Sequence, residues 1–510
     1  MAEKTVTKWI EQLREKFSAL RGEFSRAASF EAALEFMTGA LLRSDTLGLT
    51  SVVRAGAAKT GQEAKSCYER LRRMFRSEAW EPAKLMMGLG QRKMSSPNNL
   101  RINGRVVIVA DHTNNTKEGR CMPGVRNVHQ HSETSSKPDY SRAQQWGGLT
   151  LLQQATSEGP VTGNCVYLEM HRFDGELSML ERPVAEALAL SELSGEKSYC
   201  VGDAAFSAAS VHKIARASEG QMETLSRCRK DAVAYEAAPP RAPGQRGRAA
   251  IYGQKIKLIE LFQEPGRFTA ETVDGKEIKH LTLDLLSKTM SPTRKKAPSK
   301  KEKAALAKAK GVGEKRGPGR PRKIVAADAV APEPGEGKKS KKSKPAVAAA
   351  PSDNQALKLR YFLISSERGK IILVSTDLTL TAADAYRLYR SRPAIERFFQ
   401  VFKNLLQGFD SHFWSPYIKA CSRTTGVDRN EDLDARLDSD QAQAALKATE
   451  GYAALMAILC GFLQDLCLEH GDEVLEQSDL WLRTPGKTPT EFIMLMLIQV
   501  QELQKFRAAA

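Results

Sequence analysis

The chain lacks several features that would narrow its function. Its eight cysteines (Cys67, Cys121, Cys165, Cys200, Cys228, Cys421, Cys460 and Cys467) include no C-x-x-C pair. Neither a zinc ribbon nor a dithiol redox motif is therefore encoded. Scattered in this way they read as reduced, mostly buried thiols of a cytosolic protein. Long apolar runs are missing too. The longest, Tyr452 to Leu463, stops at Gln464-Asp465. That is short of the roughly 20 residues of a bilayer-spanning helix, so it reads as a buried helix and no membrane partner is expected. The opening residues Met-Ala-Glu-Lys-Thr lack the apolar stretch of a secretory signal. No internal repeat is visible. Acidic side chains are in deficit, 60 against 77 Lys and Arg, for a net charge of +17.

That charge is unevenly placed. Residues 291–345 hold 18 Lys/Arg against 5 Asp/Glu, which is +13 of the +17. A concentrated cationic tract points to a polyanion, nucleic acid first. The surrounding residues 288–353 are Lys, Ala, Pro, Gly and Ser of low complexity, and predict a disordered basic linker. Within it, Lys315-Arg316-Gly317-Pro318-Gly319-Arg320-Pro321-Arg322-Lys323 resembles an AT-hook, whose Arg-Pro core lies in a narrow A·T minor groove. Arg316, Arg320 and Arg322 are its expected DNA contacts.

At 510 residues and 41% apolar content the chain is long enough for three or four units with real cores. Residues 1–100 read as helical: Trp9, Leu13, Phe17 and Leu20 recur at helical spacing, and further periodic segments cover 30–42 and 60–75. A turn over Ser44–Thr50 before a basic helix predicts a helix-turn-helix reader of DNA ends, with Arg72 and Arg73 among its contacts. Residues 101–215 read as α/β. Arg105–Ala110 is a β-branched run ending on Asp111, Gly148–Gln154 and Gly163–Glu169 follow as strands, and Pro183–Leu193 is a helix with Pro at its first position. Ser198–Gly202 is a short strand ending on Asp203. Residues 216–287 are a strand-rich insertion, 354–407 a hairpin followed by two helices, and 408–510 mostly helical. His129 and His131 read as part of a DNA-facing loop.

The two helices carry the most informative pattern, Tyr389-x2-Arg392-x3-Glu396-x6-Lys403. The first is predicted over Thr381–Ser391 from a capping-box-like Thr381-Ala-Ala-Asp384, and the second starts at Pro393. Arg392, Glu396 and Lys403 then share a face. A carboxylate flanked by two cations suits a site for metal and phosphate. With Asp111 and Asp203 placed at strand ends, Glu396 completes a set of three hard oxygen donors. Such donors suit Mg2+, with Mn2+ as a substitute. Phosphodiester cleavage by water uses metal ions roughly 4 Å apart to stabilise the attacking and leaving oxygens. Asp377 and Asp384 are rival third carboxylates but lack the flanking cations.

These residues resemble the DDE transposases of the bacterial insertion-sequence group that carry the Y-R-E-K signature. The resemblance covers roughly residues 100–407. It implies an α/β fold with a ribonuclease H-like mixed-sheet core, flanked by the helical N-terminal domain, the β-rich insertion and the helical C-terminal region. It implies an enzyme that frees 3′-hydroxyls at element ends and joins them to target DNA, acting as a homodimer on double-stranded DNA. The expected location is the cytoplasm, at the nucleoid. Asp111, Asp203 and Glu396 become metal ligands and Tyr389, Arg392 and Lys403 become DNA contacts. The basic tract is longer than the family pattern requires. A DNA-binding regulator that keeps the fold, and a ribonuclease H-like nuclease with a host role, are the competing expectations.

Overall fold

The computed structural model describes residues 8–43, 45, 48–55, 61–129, 140–154, 159–172, 177–240, 250–287, 356–421, 437–478 and 488–509. The chain divides into two units, residues 1–287 with 358–510, and residues 288–357. The expected linker 288–353, with Arg316, Arg320 and Arg322, lies outside the described residues, as does His131.

The first unit is mixed α/β, organised on a 13-stranded sheet. Its strands are β1 (Arg101–Ile102), β2 (Arg105–Thr116), β3 (Arg126–His129), β4 (Tyr140–Gln153), β5 (Thr162–Met170), β6 (Ser198–Gly202) and β7 (Met222–Arg227). They continue with β8 (Val233–Ala237), β9 (Tyr252–Lys257), β10 (Thr269–Val273), β11 (Lys276–Ser287), β12 (Leu357–Ser366) and β13 (Gly369–Ser375). The order is β3-β4-β2-β6-β7-β13-β12-β11-β8-β9, with β5 also on β4. β2, β4 and β5 pair antiparallel, while β6 and β7 run parallel to β2. The strand-rich insertion thus extends this sheet.

β2 organises the centre because its sequence leaves it no solvent-facing side. Val106 to Ala110 are fully buried, and strand periodicity sends alternate residues to opposite cores. Val106, Ile108 and Ala110 join Val184, Ala187 and Val211 of helices Glu181–Ser194 and Ala209–Ala217. Val107 and Val109 join the larger core on the opposite face, with Ile395, Phe398 and Phe399 of helix Pro393–Gln400 and the apolar length of helix Asp440–Glu469. Each buried Val contributes about 1.5–3 kcal/mol. By the same alternation Asp111 and Thr113 fall on the side of helix Pro393–Gln400, and His112 on the other.

Helix Asp440–Glu469 is long and apolar enough to cross a membrane, but 89% of its most apolar window is buried inside the fold. It packs on β5 and on helices Ala27–Leu42, Gly61–Arg76 and Pro82–Met94. The N-terminal helices therefore share one core with the C-terminal ones. All eight cysteines are free thiols, seven of them buried.

Three local expectations need correction. β2 does not end at Asp111 but runs on to Thr116, because β4 keeps pairing with it through Thr116↔Ala143. Pro183 is the third residue of its helix, since Glu181 already begins the turn. The turn predicted over Ser44–Thr50 gives way to a further helix, Leu49–Ala55, before the basic helix Gly61–Arg76. That basic helix is half buried, with Cys67, Leu71, Met74 and Phe75 in the core.

Candidate functional site

The parallel pairing of β6 with β2 stops at Val109↔Val201. β2 continues past that point with β4 alone on its flank, so Asp111 sits where one side of the strand opens. Asp203 follows β6 by one residue, and its carboxylate accepts from the Ala205 N–H at 2.8 Å. Both aspartates reach the same opening because the two strands are parallel and in register.

The third carboxylate arrives on a helix. Thr381 caps helix Ala382–Ser391, its Oγ1 accepting from the Asp384 N–H at 3.1 Å. The reciprocal half of a capping box is absent. Instead the Thr381 hydroxyl donates to the Asp384 carboxylate at 2.9 Å. Arg392 keeps right-handed helical angles at the elbow, and Pro393 starts helix Pro393–Gln400 at a position where its missing N–H has no intrahelical partner to lose. This helix lies close on the sheet because glycines face it. A Cβ on Gly148, the register partner of Asp111, would stand 2.9 Å from Cζ of Phe399. One on Gly163 would stand 3.2 Å from the Ala394 carbonyl.

Arg392 ties strand to helix. Its Nη2 donates to Asp111 Oδ2 at 2.7 Å and its Nη1 donates to Glu396 Oε1. Burial opposes the arginine's charge, but Asp111 and Glu396 outweigh it and raise its pKa. Asp111 is pushed up to about 6, first by burial. Arg392 and the His112 N–H pull it down, and the nearby Asp203 and Glu396 push it further up. Asp111 thus lies within electrostatic range of Asp203 and Glu396, beside one bonded guanidinium. Glu396 remains about half exposed, facing the opening.

Lys403 does not continue the α-helix. It sits in a π-helical turn, Val401–Leu405, a feature frequent at functional sites. From there its Nζ donates to Thr113 Oγ1 and to the Asn114 carbonyl at 2.8 Å, on the same edge of β2 as Asp111. Burial lowers its pKa and Asp111 opposes the shift. Tyr389 is half-buried against the core and makes no hydrogen bond to this cluster among the described residues. Arg72 and Arg73 are engaged with Glu69, Arg72 with its carboxylate at 3.1 Å and Arg73 with its carbonyl at 3.2 Å. Among the described residues no bond joins them to the carboxylates.

The rival carboxylates are occupied elsewhere. Asp377 accepts from Tyr199 Oη at 2.6 Å and from the Thr379 hydroxyl at 2.6 Å, and Asp384 serves the helix cap. His112 lies beside Asp111 on β2, with its side chain on the opposite face of the strand. Burial lowers its pKa, its Nε2 bonds the Met179 carbonyl at 2.8 Å, and its ring stacks on Phe206 at 5.1 Å. Its backbone N–H holds Asp111 Oδ1 at 2.8 Å. The alternation of β2, continued by two residues, was the signal that places it.

Among the described residues no three His, Cys, Asp or Glu side chains stand together as metal ligands. Arg392 bonds two of the three expected ones instead. The donor set is nevertheless all hard oxygen, crowded and partly buried. Oxygen donors of this type match the preference of divalent cations such as Mg2+.

No protein-family model matches the chain, and no curated protein does. Among solved structures, a cryo-EM structure of the piggyBac transposase synaptic complex with hairpin DNA is similar over 99% of this chain and 78% of that one. The identity is 9% and the TM-score 0.34, a likeness too slight to carry an argument.

Proposed function

We propose that the protein is a DDE transposase that cleaves DNA at element ends and joins the freed ends to target DNA. The observation that carries this is the convergence of Asp111 and Glu396 on Arg392, with Asp203 and Lys403 beside them. Residues distant in sequence meet at one opening of the sheet, which supports the reading. The central strands β5-β4-β2-β6-β7, antiparallel and then parallel, fit the mixed sheet of a ribonuclease H-like core.

Asp111, Asp203 and Glu396 would hold Mg2+ or Mn2+, which supplies charge stabilisation for the attacking and leaving oxygens. The chain's own residues do the rest. In cleavage a water oxygen attacks phosphorus, the bond to the 3′ oxygen breaks, and that oxygen leaves as a 3′-hydroxyl. In joining, that hydroxyl attacks a target phosphodiester and releases a target 3′-hydroxyl. Arg392 presents a planar fork that matches phosphate as well as carboxylate. On DNA it exchanges Asp111 and Glu396 for a phosphate, freeing both carboxylates. Lys403 adds a point charge from the β2 edge. The assembly would be a homodimer on DNA, since two ends react.

The test is Mg2+-dependent cleavage of duplex DNA carrying the element's own ends. Asp111→Asn, Asp203→Asn and Glu396→Gln should each abolish cleavage while end binding stays near wild type. A variant that cleaves normally removes its residue from the site. Wild-type protein that binds but never cleaves favours the regulator reading.

A further inference from the structure

Four aromatic side chains are exposed among the described residues, and three of them line one groove. Trp414 is 64% exposed, Tyr417 63% and Tyr68 37%. They border a cavity of about 460 Å³ together with Arg72, Arg76 and His412. Among the described residues no acidic side chain lines it.

The aromatics are displayed rather than loose. Phe413 is buried against Phe75, with ring centroids 5.5 Å apart, and Ser415 and Ile418 are buried too. The Ser415 N–H donates to the Cys121 carbonyl at 3.1 Å and the Ile418 N–H to the Ser415 carbonyl at 3.1 Å. Phe413, Ser415 and Ile418 are thereby anchored, and Trp414 and Tyr417 between them are left exposed. On the facing helix Arg72 is shared with Glu69 at 3.1 Å, whereas Arg76 makes no ion pair among the described residues. Burial, and then the neighbouring Arg72, lowers the pKa of Arg76, with Tyr68 and Glu69 opposing the shift.

We propose that this groove binds an unpaired stretch of DNA strand, with bases stacked on Trp414 and Tyr417 and a phosphate on Arg76 and Arg72. Flat π faces beside guanidinium groups are what an unpaired strand requires, because every base offers a face and every link a phosphate. A blunt duplex hides its base faces and would use the arginines alone. A proline-rich peptide would use the aromatics and leave Arg76 unmatched. The chain from Lys403 to Trp414 spans at most about 40 Å. That is about a dozen base pairs at 3.4 Å each, so one bound DNA reaches both sites.

This rests on the reading of the protein as acting on DNA, and the experiment separates the two. Full-length protein is titrated with labelled short oligothymidylate and with a blunt duplex of equal length, and Mg2+-dependent cleavage is assayed in parallel. Trp414→Ala and Arg76→Gln should each weaken oligothymidylate binding about tenfold, and Trp414→Ala should change duplex binding less than about threefold. Trp414→Phe should restore affinity while removing the quenching of tryptophan emission on binding. Unchanged oligothymidylate affinity in both loss variants overturns the proposal, whether or not cleavage occurs. Equal weakening of single strand and duplex by Trp414→Ala also overturns it, leaving a general cationic surface. Selective capture of a proline-rich peptide assigns the groove to a protein partner instead. If single-strand binding behaves as expected but no cleavage is seen, the catalytic reading fails and the groove stands.

Discussion

Arg392 and Asp111 are 281 residues apart in sequence and 2.7 Å apart in space, guanidinium Nη2 to carboxylate Oδ2. The pair is partly sheltered, at 14% side-chain exposure each. Through its other nitrogen the same guanidinium holds Glu396. One cation thus bridges a strand carboxylate and a helix carboxylate.

Replacing that cation tests the exchange. Arg392→Lys keeps the charge but cannot reach both carboxylates and a phosphate with a fork. Cleavage should fall by at least about tenfold with end binding little changed. Arg392→Ala leaves the carboxylates without their guanidinium, so thermal melting should show a larger gain on adding Mg2+ than in wild type, by linkage to cation binding. Asp111→Asn should lose that gain. Equal Mg2+ responses in all three proteins would remove the metal from this site.

The approach of helix Pro393–Gln400 depends on Gly148. Gly148→Ala places a methyl group 2.9 Å from Phe399 Cζ, and overpacking of this kind costs about 1–3 kcal/mol. Denaturant unfolding should register that loss, and cleavage should drop further because Glu396 rides on the same helix. Phe399→Leu in the same chain makes room and should recover part of both. A double variant no better than the sum of its parts argues against direct contact.

His212 supplies a pH dependence remote from the carboxylates. It is fully buried, Nδ1 bonded to Thr224 Oγ1 at 2.8 Å. Burial, assisted by Arg216, lowers its pKa from 6.5 to about 4. Between those values the unfolded chain takes up a proton that the folded protein refuses. The stability is therefore complete above pH 6.5 and falls as pH drops towards 4, by about 3 kcal/mol across the window. His212→Asn, measured by denaturant titration from pH 7 to 4, should show a shallower acid limb. Parallel limbs would exclude His212 as the cause.

The basic tract has a separate signature. Each phosphate contact adds roughly −0.9 to the slope of log affinity against log salt on duplex DNA. Deleting residues 291–345, which carry 18 Lys/Arg, should flatten that slope by several units, with end-specific cleavage kept at low salt. An unchanged slope would make the tract a passive linker.

The legible parts of the sequence were those set by local chemistry. The run Arg105–Ala110 announces a strand buried on both faces, and Thr381 and Pro393 announce two helix starts. Aspartate positions beside those elements followed directly. What could not be read was set by partners far along the chain. β2 passes Asp111 because β4 pairs with it through Thr116, and nothing in residues 105–116 encodes that pairing. The bond between Arg392 and Asp111 likewise needs the whole sheet to be assembled. The N-terminal helices looked separable because their periodicity is their own. Phe36 and Phe75 nonetheless pack edge-on and tilted against Tyr452, at 5.2 and 6.1 Å between centroids.

The π-helical turn Val401–Leu405 has a consequence for how the gene can change length. The Leu406 N–H reaches back to the Val401 carbonyl at 3.1 Å and the Gly408 N–H to the Phe402 carbonyl at 2.8 Å, so the turn holds one more residue than an α-helical turn would. Losing a single codon there would restore ordinary helical winding and rotate all that follows by about 100°. Lys403 would swing off the β2 edge, and Phe409 would leave Trp146, now 4.8 Å away between ring centroids. The hairpin at Glu367-Arg368 imposes no such phase and should absorb an added codon freely. Insertions and deletions should thus be tolerated a few dozen residues upstream and be disabling within this one turn.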